Sequence, residues 1–299
     1  MTLLVIDTDP GVDDALALLF AWGSPSARVE AVTTVAGNVG LAACTRNLFR
    51  LLAARRPDPW PLVAAGADRP LARRLVTAEG YHGADGLGDL DDWPDVEIKS
   101  APDRASDVLV DLARRHGRSL TLVALGPLTN VALACQADPA AMRGIGRVVV
   151  MGGAVDVPGN VTPTAEFNFH VDPEAAAQVL AAGLTLDLIP LDATRQARIG
   201  RADFERALAA HASPLTRRIL ALTAHAFGRE GGRITLHDPL AIGAALDESV
   251  VTWERAALAV IGDGQSTRVS GAPNCRFARG VDASRFQAMF LEALCRPVS

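Results

Sequence analysis

Short apolar runs alternate with longer segments of helical periodicity, and this alternation constrains the fold more than any other feature of the sequence. Five apolar runs have a helical segment after them, namely LLVID, VEAVTTV, LTLVAL, RVVVMGG and LTLDLIPLD. The segments after the first three are DALALLFAW, LAACTRNLFRLLAARR and LTNVALACQA. Strands that alternate with helices in this way form βαβ units. The sequence therefore predicts an α/β, Rossmann-like fold with a mainly parallel central β-sheet flanked by helices.

The length of 299 residues leaves room for one large domain or two small ones. Hydrophobic residues make up 49% of the chain and charged residues 21%, which is typical of a globular protein with a sizeable core. Two stretches rich in proline and aspartate, 55–61 and 91–104, are predicted to be loops, and the alternation resumes after each. We therefore expect a single domain over residues 1–299.

Charge and cysteine content argue against several classes of protein. The net charge is −5 and the positive residues are scattered, so we expect no nucleic-acid partner. No stretch of the sequence approaches the ~18 apolar residues that a membrane span needs, and the apolar part of MTLLVID is too short for a signal peptide. The four cysteines are far apart, as expected of free thiols. Together these features predict a cytoplasmic protein without a membrane partner.

Four aspartates occupy eight positions at the end of the first apolar run: Asp7, Asp9, Asp13 and Asp14. Two carboxylates ~4 Å apart repel each other by roughly 4 kcal/mol at an effective dielectric of ~20, so the cluster needs a compensating charge. A helix cap would explain Asp9, but it does not explain Asp13 and Asp14 ahead of eight apolar residues. Ligands of open α/β sheets bind beyond the carboxyl ends of the strands. Oxygen ligands with no His or Cys nearby favour a hard cation such as Ca²⁺ or Mg²⁺ over zinc.

Two more polar groups lie far away in the sequence. His237 and Asp238 precede a proline and an apolar run, which repeats the Asp-Pro-helix pattern of the first cluster, although a helix cap alone would also explain Asp238. The loop after RVVVM holds Asn160, Glu166 and Asn168. Glu166 and Asn168 are two residues apart and would point the same way in an extended segment. Such a set could bind several hydroxyl groups of a sugar.

Taken together, these motifs resemble those of the inosine-uridine preferring nucleoside hydrolase family. The blocks that carry the resemblance span nearly the whole chain in the family's order: DTDPGVDDALAL, TVAGNVG, YHGADGLG, ALGPLTN, VMGGAV, AEFNFHVDPEAA, LDATRQ and HDPLAI. The resemblance implies the nucleoside hydrolase fold, hydrolysis of the N-glycosidic bond of a ribonucleoside to ribose and a free base, and one bound Ca²⁺. It also implies a homodimer or homotetramer.

The resemblance further implies roles for individual residues. The metal ligands would be the carboxylates of Asp9, Asp14 and Asp238 and the backbone carbonyl of Leu125. Many family members have Thr in place of Leu125, but a carbonyl ligand requires no particular side chain. The substrate-binding residues would be Asp13, Asn38, His82, Asn160, Glu166 and Asn168, with His82 in the wall of the base pocket. Asp9 would take a proton from a Ca²⁺-bound water, and His237 would assist the leaving base.

The sequence leaves the base preference open. Purine-specific members stack the base between aromatic side chains, whereas this chain has one tyrosine, Tyr81. The segment 222–233 is expected to form a mobile flap over the base, and it offers His225, Phe227 and Arg229 but no Tyr or Trp. These features favour a pyrimidine or mixed preference.

Two other classes of protein are compatible with parts of the pattern. The opening DTDPG is also similar to the Asp-x-Asp motif of haloacid-dehalogenase-type phosphatases. That chemistry normally uses a lysine at the site, and Lys99, the only lysine of the sequence, lies in a polar loop. A Ca²⁺-dependent sugar-binding module would keep the metal ligands but could dispense with the carboxylate of Asp9 that activates water.

Overall fold

A computed structural model describes residues 1–94 and 96–297. Its strands, in chain order, are β1 (Thr2–Thr8), β2 (Ala27–Thr34), β3 (Leu62–Ala65), β4 (Leu120–Ala124), β5 (Arg147–Met151), β6 (Leu186–Ile189), β7 (Arg198–Gly200), β8 (Arg233–Thr235), β9 (Val251–Ala256), β10 (Leu258–Ile261), β11 (Gln265–Arg268) and β12 (Cys275–Val281).

The α-helices lie mostly between these strands. They are α1 (Val12–Gly23), α2 (Leu41–Arg55), α3 (Glu79–His82), α4 (Ala105–His116), α5 (Thr129–Ala137), α6 (Pro139–Arg143), α7 (Phe167–Val171), α8 (Pro173–Ala181), α9 (Leu191–Thr194), α10 (Arg201–Ala209), α11 (Pro214–Arg229), α12 (His237–Leu246) and α13 (Ala283–Cys295). Short 3₁₀ turns at Gly117–Ser119 and Glu248–Val250 precede β4 and β9.

The main sheet has the strand order β3-β2-β1-β4-β5-β6-β12-β9 within the described residues. Neighbouring strands are parallel except at one edge, where β9 runs antiparallel to β12. Two antiparallel pairs, β10 with β11 and β7 with β8, lie outside this sheet. The predicted fold class, a single α/β domain with a mainly parallel central sheet, is confirmed.

Helices cover both faces of the sheet because the central strands are apolar on both sides. On β1, Leu4 and Ile6 belong to the core cluster that contains α1, α12 and α13, whereas Val5 belongs to the cluster with α4, α5 and α8. This two-sided burial is the physical reason that these strands read as continuous apolar runs. In the described part of the chain, no helix is both long enough and apolar enough to cross a membrane.

The strand order reverses at β1, which pairs with β2 on one side and with β4 on the other. The connections from these strands leave the sheet in opposite directions, so their carboxyl ends frame a crevice. The aspartate cluster begins within β1 and continues into the first turn of α1. The fold thus places this cluster at the crevice.

Candidate active site

A cavity of about 320 Å³ lies at the crevice, where β1, β2, β4 and β5 end. Its walls contain nine of the residues that the sequence singles out: Asp13, Asn38, His82, Leu125, Asn160, Glu166, Asn168, His237 and Asp238. Asp9 and Asp14 lie buried behind the wall, and both accept hydrogen bonds from Asn38. The structure therefore brings together residues that are more than two hundred positions apart in the sequence.

The carboxylate of Asp9 is held tightly by the loops after β2 and β4. Its Oδ2 accepts a 2.7 Å hydrogen bond from the backbone N–H of Asn38. A Cβ atom at Gly37 would lie 2.1 Å from Oδ2, and one at Gly126 would lie 2.4 Å from Oδ1, so a side chain at either position would displace the Asp9 carboxylate. Oδ1 is buried and has no hydrogen-bond partner among the described residues. This oxygen is free to bind a cation or to accept a proton.

Asp14 is held by four donors at the start of α1. Its Oδ1 accepts hydrogen bonds from the Thr8 hydroxyl at 2.5 Å and from the backbone N–H of Asp9 at 3.3 Å. Its Oδ2 accepts from the backbone N–H of Gly11 at 3.0 Å and from Nδ2 of Asn38 at 2.9 Å. The positive end of the helix dipole also favours a carboxylate here. Helix capping therefore explains part of this residue's role, alongside the predicted metal binding.

Oxygen atoms of Asp13, Asp14 and Asp238 lie within 4.8 Å of one another. Desolvation raises the pKa of Asp9 and of Asp238 well above the usual range and that of Asp13 to about 8, and repulsion by neighbouring carboxylates adds to each shift. A buried anionic cluster of this kind either takes up protons or binds a cation. An all-oxygen donor set with an unpartnered oxygen on Asp9 suits a hard divalent cation.

Two asparagines and a backbone carbonyl form the neighbouring wall. Nδ2 of Asn168 donates to the carbonyl oxygens of Leu125 at 2.6 Å and Met151 at 3.2 Å. The carbonyl of Leu125 keeps one lone pair for a cation, since a carbonyl oxygen has two. Oδ1 of Asn160 accepts from the backbone N–H of Phe167 at 3.0 Å, which fixes this loop against the cavity.

Glu166 and Asn168 lie in the cavity wall, but our geometric reason for grouping them is wrong. The segment is not extended, because Glu166 is the N-cap of the short helix α7 and Asn168 lies in its first turn. The Glu166 carboxylate accepts hydrogen bonds from the backbone N–H groups of Gly153, Asn168 and Phe169 at 2.9–3.2 Å. Burial nevertheless raises its pKa to about 7. Capping, and not strand alternation, brings the two side chains to the cavity.

Two buried histidines face the cavity from different elements. Nδ1 of His82 accepts a 3.0 Å hydrogen bond from the backbone N–H of Val12, so the neutral ring carries its proton on Nε2. Nδ1 of His237 lies 2.8 Å from the hydroxyl of Thr194. Burial lowers the pKa of each histidine to about 4, and the charge of Arg195 adds to the shift at His237. Both rings are therefore neutral at pH 7.

Sequence reasoning missed several residues of the cavity wall, which are Ala78, Met151, Val161, Phe167, Glu230 and Thr235. Tyr81, which the sequence singles out only as the one tyrosine, also lines the cavity and donates its hydroxyl hydrogen bond to Glu230. These two residues are 149 positions apart, and no local pattern in the sequence connects them.

The expected flap over the base, 222–233, has a different structure. Its first eight residues complete the helix α11. Phe227 is buried and packs against Phe204 with ring centroids 5.5 Å apart, whereas His225 is exposed. From this segment, Glu230 is the residue that reaches the cavity wall. The apolar face of α11 belongs to the core, which is why Phe227 points away from the cavity.

Lys99 does not line the cavity. It is exposed and pairs with Glu97 at 2.9 Å. The phosphatase alternative needs a lysine at the aspartate cluster, and the structure places this one elsewhere. That alternative consequently loses its chemical support.

Comparison with known proteins agrees with the fold. The sequence profile of the inosine-uridine preferring nucleoside hydrolase family matches residues 4–288. A pyrimidine-specific ribonucleoside hydrolase, RihA, from Enterobacter sp. is 43% identical over 68% of this chain, and the match spans 64% of the relative, slightly less than two thirds of its length.

Solved structures are similar over nearly the full chain. A plant nucleoside hydrolase superposes with a TM-score of 0.92 at 33% identity, covering 99% of both chains. A purine-preferring ribonucleoside hydrolase from Gardnerella vaginalis superposes with a TM-score of 0.92 at 28% identity, covering 98% of both chains. The fold is thus that of a ribonucleoside N-glycosyl hydrolase. This chain belongs to the inosine-uridine preferring nucleoside hydrolase family, whose enzymes hydrolyse ribonucleosides.

Proposed function

We propose that the chain hydrolyses the N-glycosidic bond of ribonucleosides in this cavity and releases ribose and a free base. The observation that carries the proposal is the convergence of four carboxylates, Asp9, Asp13, Asp14 and Asp238, at one end of a cavity of about 320 Å³. We further propose that residues 1–299 act as a single catalytic domain, as expected from the family match over residues 4–288.

Ca²⁺ is the proposed cofactor, and its ligands would be Asp9, Asp14, Asp238 and the backbone carbonyl of Leu125. When bound, a cation neutralises the carboxylates and lowers the pKa of a coordinated water. Asp9 is suited to act as the general base because its Oδ1 has no hydrogen-bond donor, whereas its Oδ2 is fixed by Asn38. The backbone thus orients one oxygen of Asp9 and leaves the other free for the proton.

The ribose is proposed to lie beside these carboxylates. Asp13, Asn38, Asn160, Glu166 and Asn168 would bind its hydroxyl groups, and each of them lines the cavity. Glycoside hydrolysis develops positive charge on the sugar ring in its transition state. Buried carboxylates fixed by backbone N–H groups stabilise such charge without having to reorganise.

The leaving base is proposed to meet His82 and His237. Nε2–H of His82 is a fixed donor, since Val12 occupies Nδ1. His237 can donate from Nε2 only when the Thr194 hydroxyl donates to Nδ1. Because both rings are neutral at pH 7, each would stabilise the departing base by a hydrogen bond before any proton is transferred. If His237 assists the base, His237→Ala should impair inosine more than a p-nitrophenyl riboside, whose leaving group needs no proton.

Incubation with uridine and inosine, followed by an assay of reducing sugar, tests the proposal. Release of ribose from either nucleoside supports it. Ca²⁺-dependent nucleoside binding without ribose release would instead favour the sugar-binding module. A pyrimidine or mixed base preference is proposed on the basis of the sequence and of the similarity to the pyrimidine-specific relative. Light scattering tests the proposed homodimer or homotetramer.

A further inference from the structure

Part of the cavity wall is built around Glu230. Its Oε1 accepts the hydroxyl hydrogen of Tyr81. Its Oε2 accepts hydrogen bonds from the backbone N–H of Thr235 at 3.1 Å and from the Thr235 hydroxyl at 3.2 Å, and the guanidinium of Arg198 lies 3.7 Å away. All of these groups are donors, which is the environment that an ionised carboxylate requires.

Tyr81 is itself fixed from its other side. The guanidinium of Arg229 lies over the Tyr81 ring, 5.5 Å from its centroid, and donates to the carbonyl of Gly80. The ring of His82 meets that of Tyr81 edge to face, with centroids 4.9 Å apart. The position of the phenol, and through it that of Glu230, is therefore set before any ligand enters.

Glu230 still has an acceptor position to offer. A carboxylate has about four lone-pair sites, and the contacts with Tyr81 and Thr235 use three of them, of which two are on Oε2. The side chain is 20% exposed, and it lines the cavity. None of the described residues in the cavity wall is Lys or Arg, and the nearby Arg198 and Arg229 lie against Glu230 and Tyr81 and are not part of the lining, so a base carbonyl placed against Glu230 would meet an acceptor without a cationic donor from the wall.

We propose that Glu230, fixed by Tyr81 and Thr235, makes the enzyme prefer nucleosides whose base carries an exocyclic amino group. This inference rests on the proposed hydrolase function. Cytidine and uridine differ in that cytosine presents an amino group where uracil presents a carbonyl, and adenosine and inosine differ in the same way. An amino group donates a charge-assisted hydrogen bond to the carboxylate, whereas a carbonyl oxygen finds another acceptor there.

The test compares kcat/KM for cytidine and uridine in the wild-type enzyme and in Glu230→Gln. A hydrogen bond to a charged group contributes about 1.5–3 kcal/mol, so the wild type should favour cytidine by at least about tenfold. A glutamine amide can turn an N–H toward a carbonyl, so E230Q should reduce the ratio at least about tenfold. Adenosine and inosine should follow the same order.

Two further variants and one further substrate complete the design. Tyr81→Phe keeps the charge of Glu230 but releases Oε1, so the ratio should fall by less than in E230Q. Glu79→Gln removes the same charge from an exposed residue two positions before Tyr81 and should leave the ratio unchanged. A p-nitrophenyl riboside carries neither the amino nor the carbonyl group. Its hydrolysis therefore reports the reaction at the sugar alone, and a thermal unfolding transition of E230Q close to that of the wild type shows that the variant is folded.

The outcomes separate this inference from the function on which it rests. Hydrolysis of nucleosides with equal kcat/KM for cytidine and uridine, or with a ratio that E230Q leaves unchanged, overturns the role of Glu230 and leaves the hydrolase function standing. A wild-type enzyme that hydrolyses neither nucleosides nor the nitrophenyl riboside overturns both.

Discussion

The backbone N–H of Val12 donates a 3.0 Å hydrogen bond to Nδ1 of His82, 70 residues away in the sequence. This bond joins the first turn of α1 to the short helix α3, and it leaves no lone pair on Nδ1 for an added proton. Burial lowers the pKa of this imidazole to about 4, and the charge of Arg229 adds to the shift.

Acid should destabilise the protein partly through His82. Its pKa is about 4 when folded and 6.5 in the reference state, so between these values the unfolded chain binds more protons. Stability that is present above pH 6.5 is thus lost as the pH falls toward 4, by about 2 kcal/mol between pH 7 and 5. His82→Gln keeps an acceptor for Val12 but does not titrate. Urea unfolding of both proteins should show the smaller pH dependence in H82Q, and equal dependence would show that His82 is protonated in the folded state.

Replacing Asp9 by Asn should reduce kcat much more than it changes KM. The free oxygen of Asp9 is the proposed proton acceptor, and general-base catalysis contributes typically 10²–10⁴-fold, so we expect a loss of at least about 100-fold. Steady-state kinetics with uridine measure it. Asp68→Asn, at an exposed aspartate, is the control for removal of one charge and should be close to wild type. Turnover of D9N near the wild-type rate would place the base elsewhere.

Removal of the cation should lower both activity and thermal stability. Without it, the carboxylates of Asp9, Asp13 and Asp238 repel one another in a buried site. We expect bound Ca²⁺ by elemental analysis, loss of activity after chelation, and a higher Tm when Ca²⁺ is added back. Asp238→Asn should require more Ca²⁺ for the same increase in Tm. Full activity of the metal-free protein would exclude a catalytic role for this site.

A single added methyl group at Gly37 should impair the enzyme. The new Cβ would lie 2.1 Å from Oδ2 of Asp9, and the carboxylate would have to move. Because displacement of a catalytic group by about 1 Å can cost 10²-fold, we expect Gly37→Ala to reduce kcat/KM at least tenfold. Gly40→Ala, in the same loop, places its Cβ where no atom lies within 4 Å and serves as the control. Equal activity of the two variants would show that the loop yields without moving Asp9.

Deoxyribonucleosides should be poor substrates. The side chains of Asp13, Asn168 and Glu166 line the cavity beside the proposed cation site, and a sugar without its 2′-hydroxyl leaves a buried polar partner unpaired. Sites built to bind a hydroxyl group reject the analogue without it by about 10⁴-fold or more. We expect kcat/KM for 2′-deoxyuridine to be at least about a thousandfold below that for uridine. Similar values for the two sugars would contradict the ribose-binding assignments of Asp13 and Asn168.

The sequence predicts those parts of the molecule that depend on local patterns. Apolar runs buried on both faces identify the parallel strands, and aspartates after β1 identify the end of the sheet where the cavity lies. The family resemblance then brings in residues as distant as Asn38 and Asp238.

Contacts between distant segments are what the sequence does not reveal. Glu230 follows a helix with no marker of its own, and its place in the cavity wall depends on Tyr81 and Thr235. Phe227 has an aromatic ring that could stack on a base, but the periodicity of α11 buries this ring against Phe204. The position of Glu166 before a short apolar segment could have indicated that it caps α7, but we interpreted this segment as an extended one.

Asp14 receives all four of its hydrogen bonds from the protein, and Asp9 is enclosed by two glycines, so folding fixes the positions of both carboxylates. The distances from these carboxylate oxygens to a bound cation would therefore vary little. Mg²⁺ requires oxygens at about 2.0–2.1 Å in octahedral geometry, whereas Ca²⁺ accepts about 2.3–2.6 Å and irregular coordination. For the proposed cation, selectivity between the two ions would therefore depend on the backbone of residues 8–14 and 37–38 together with Leu125 and Asp238, and substitutions in these segments should change the preferred ion.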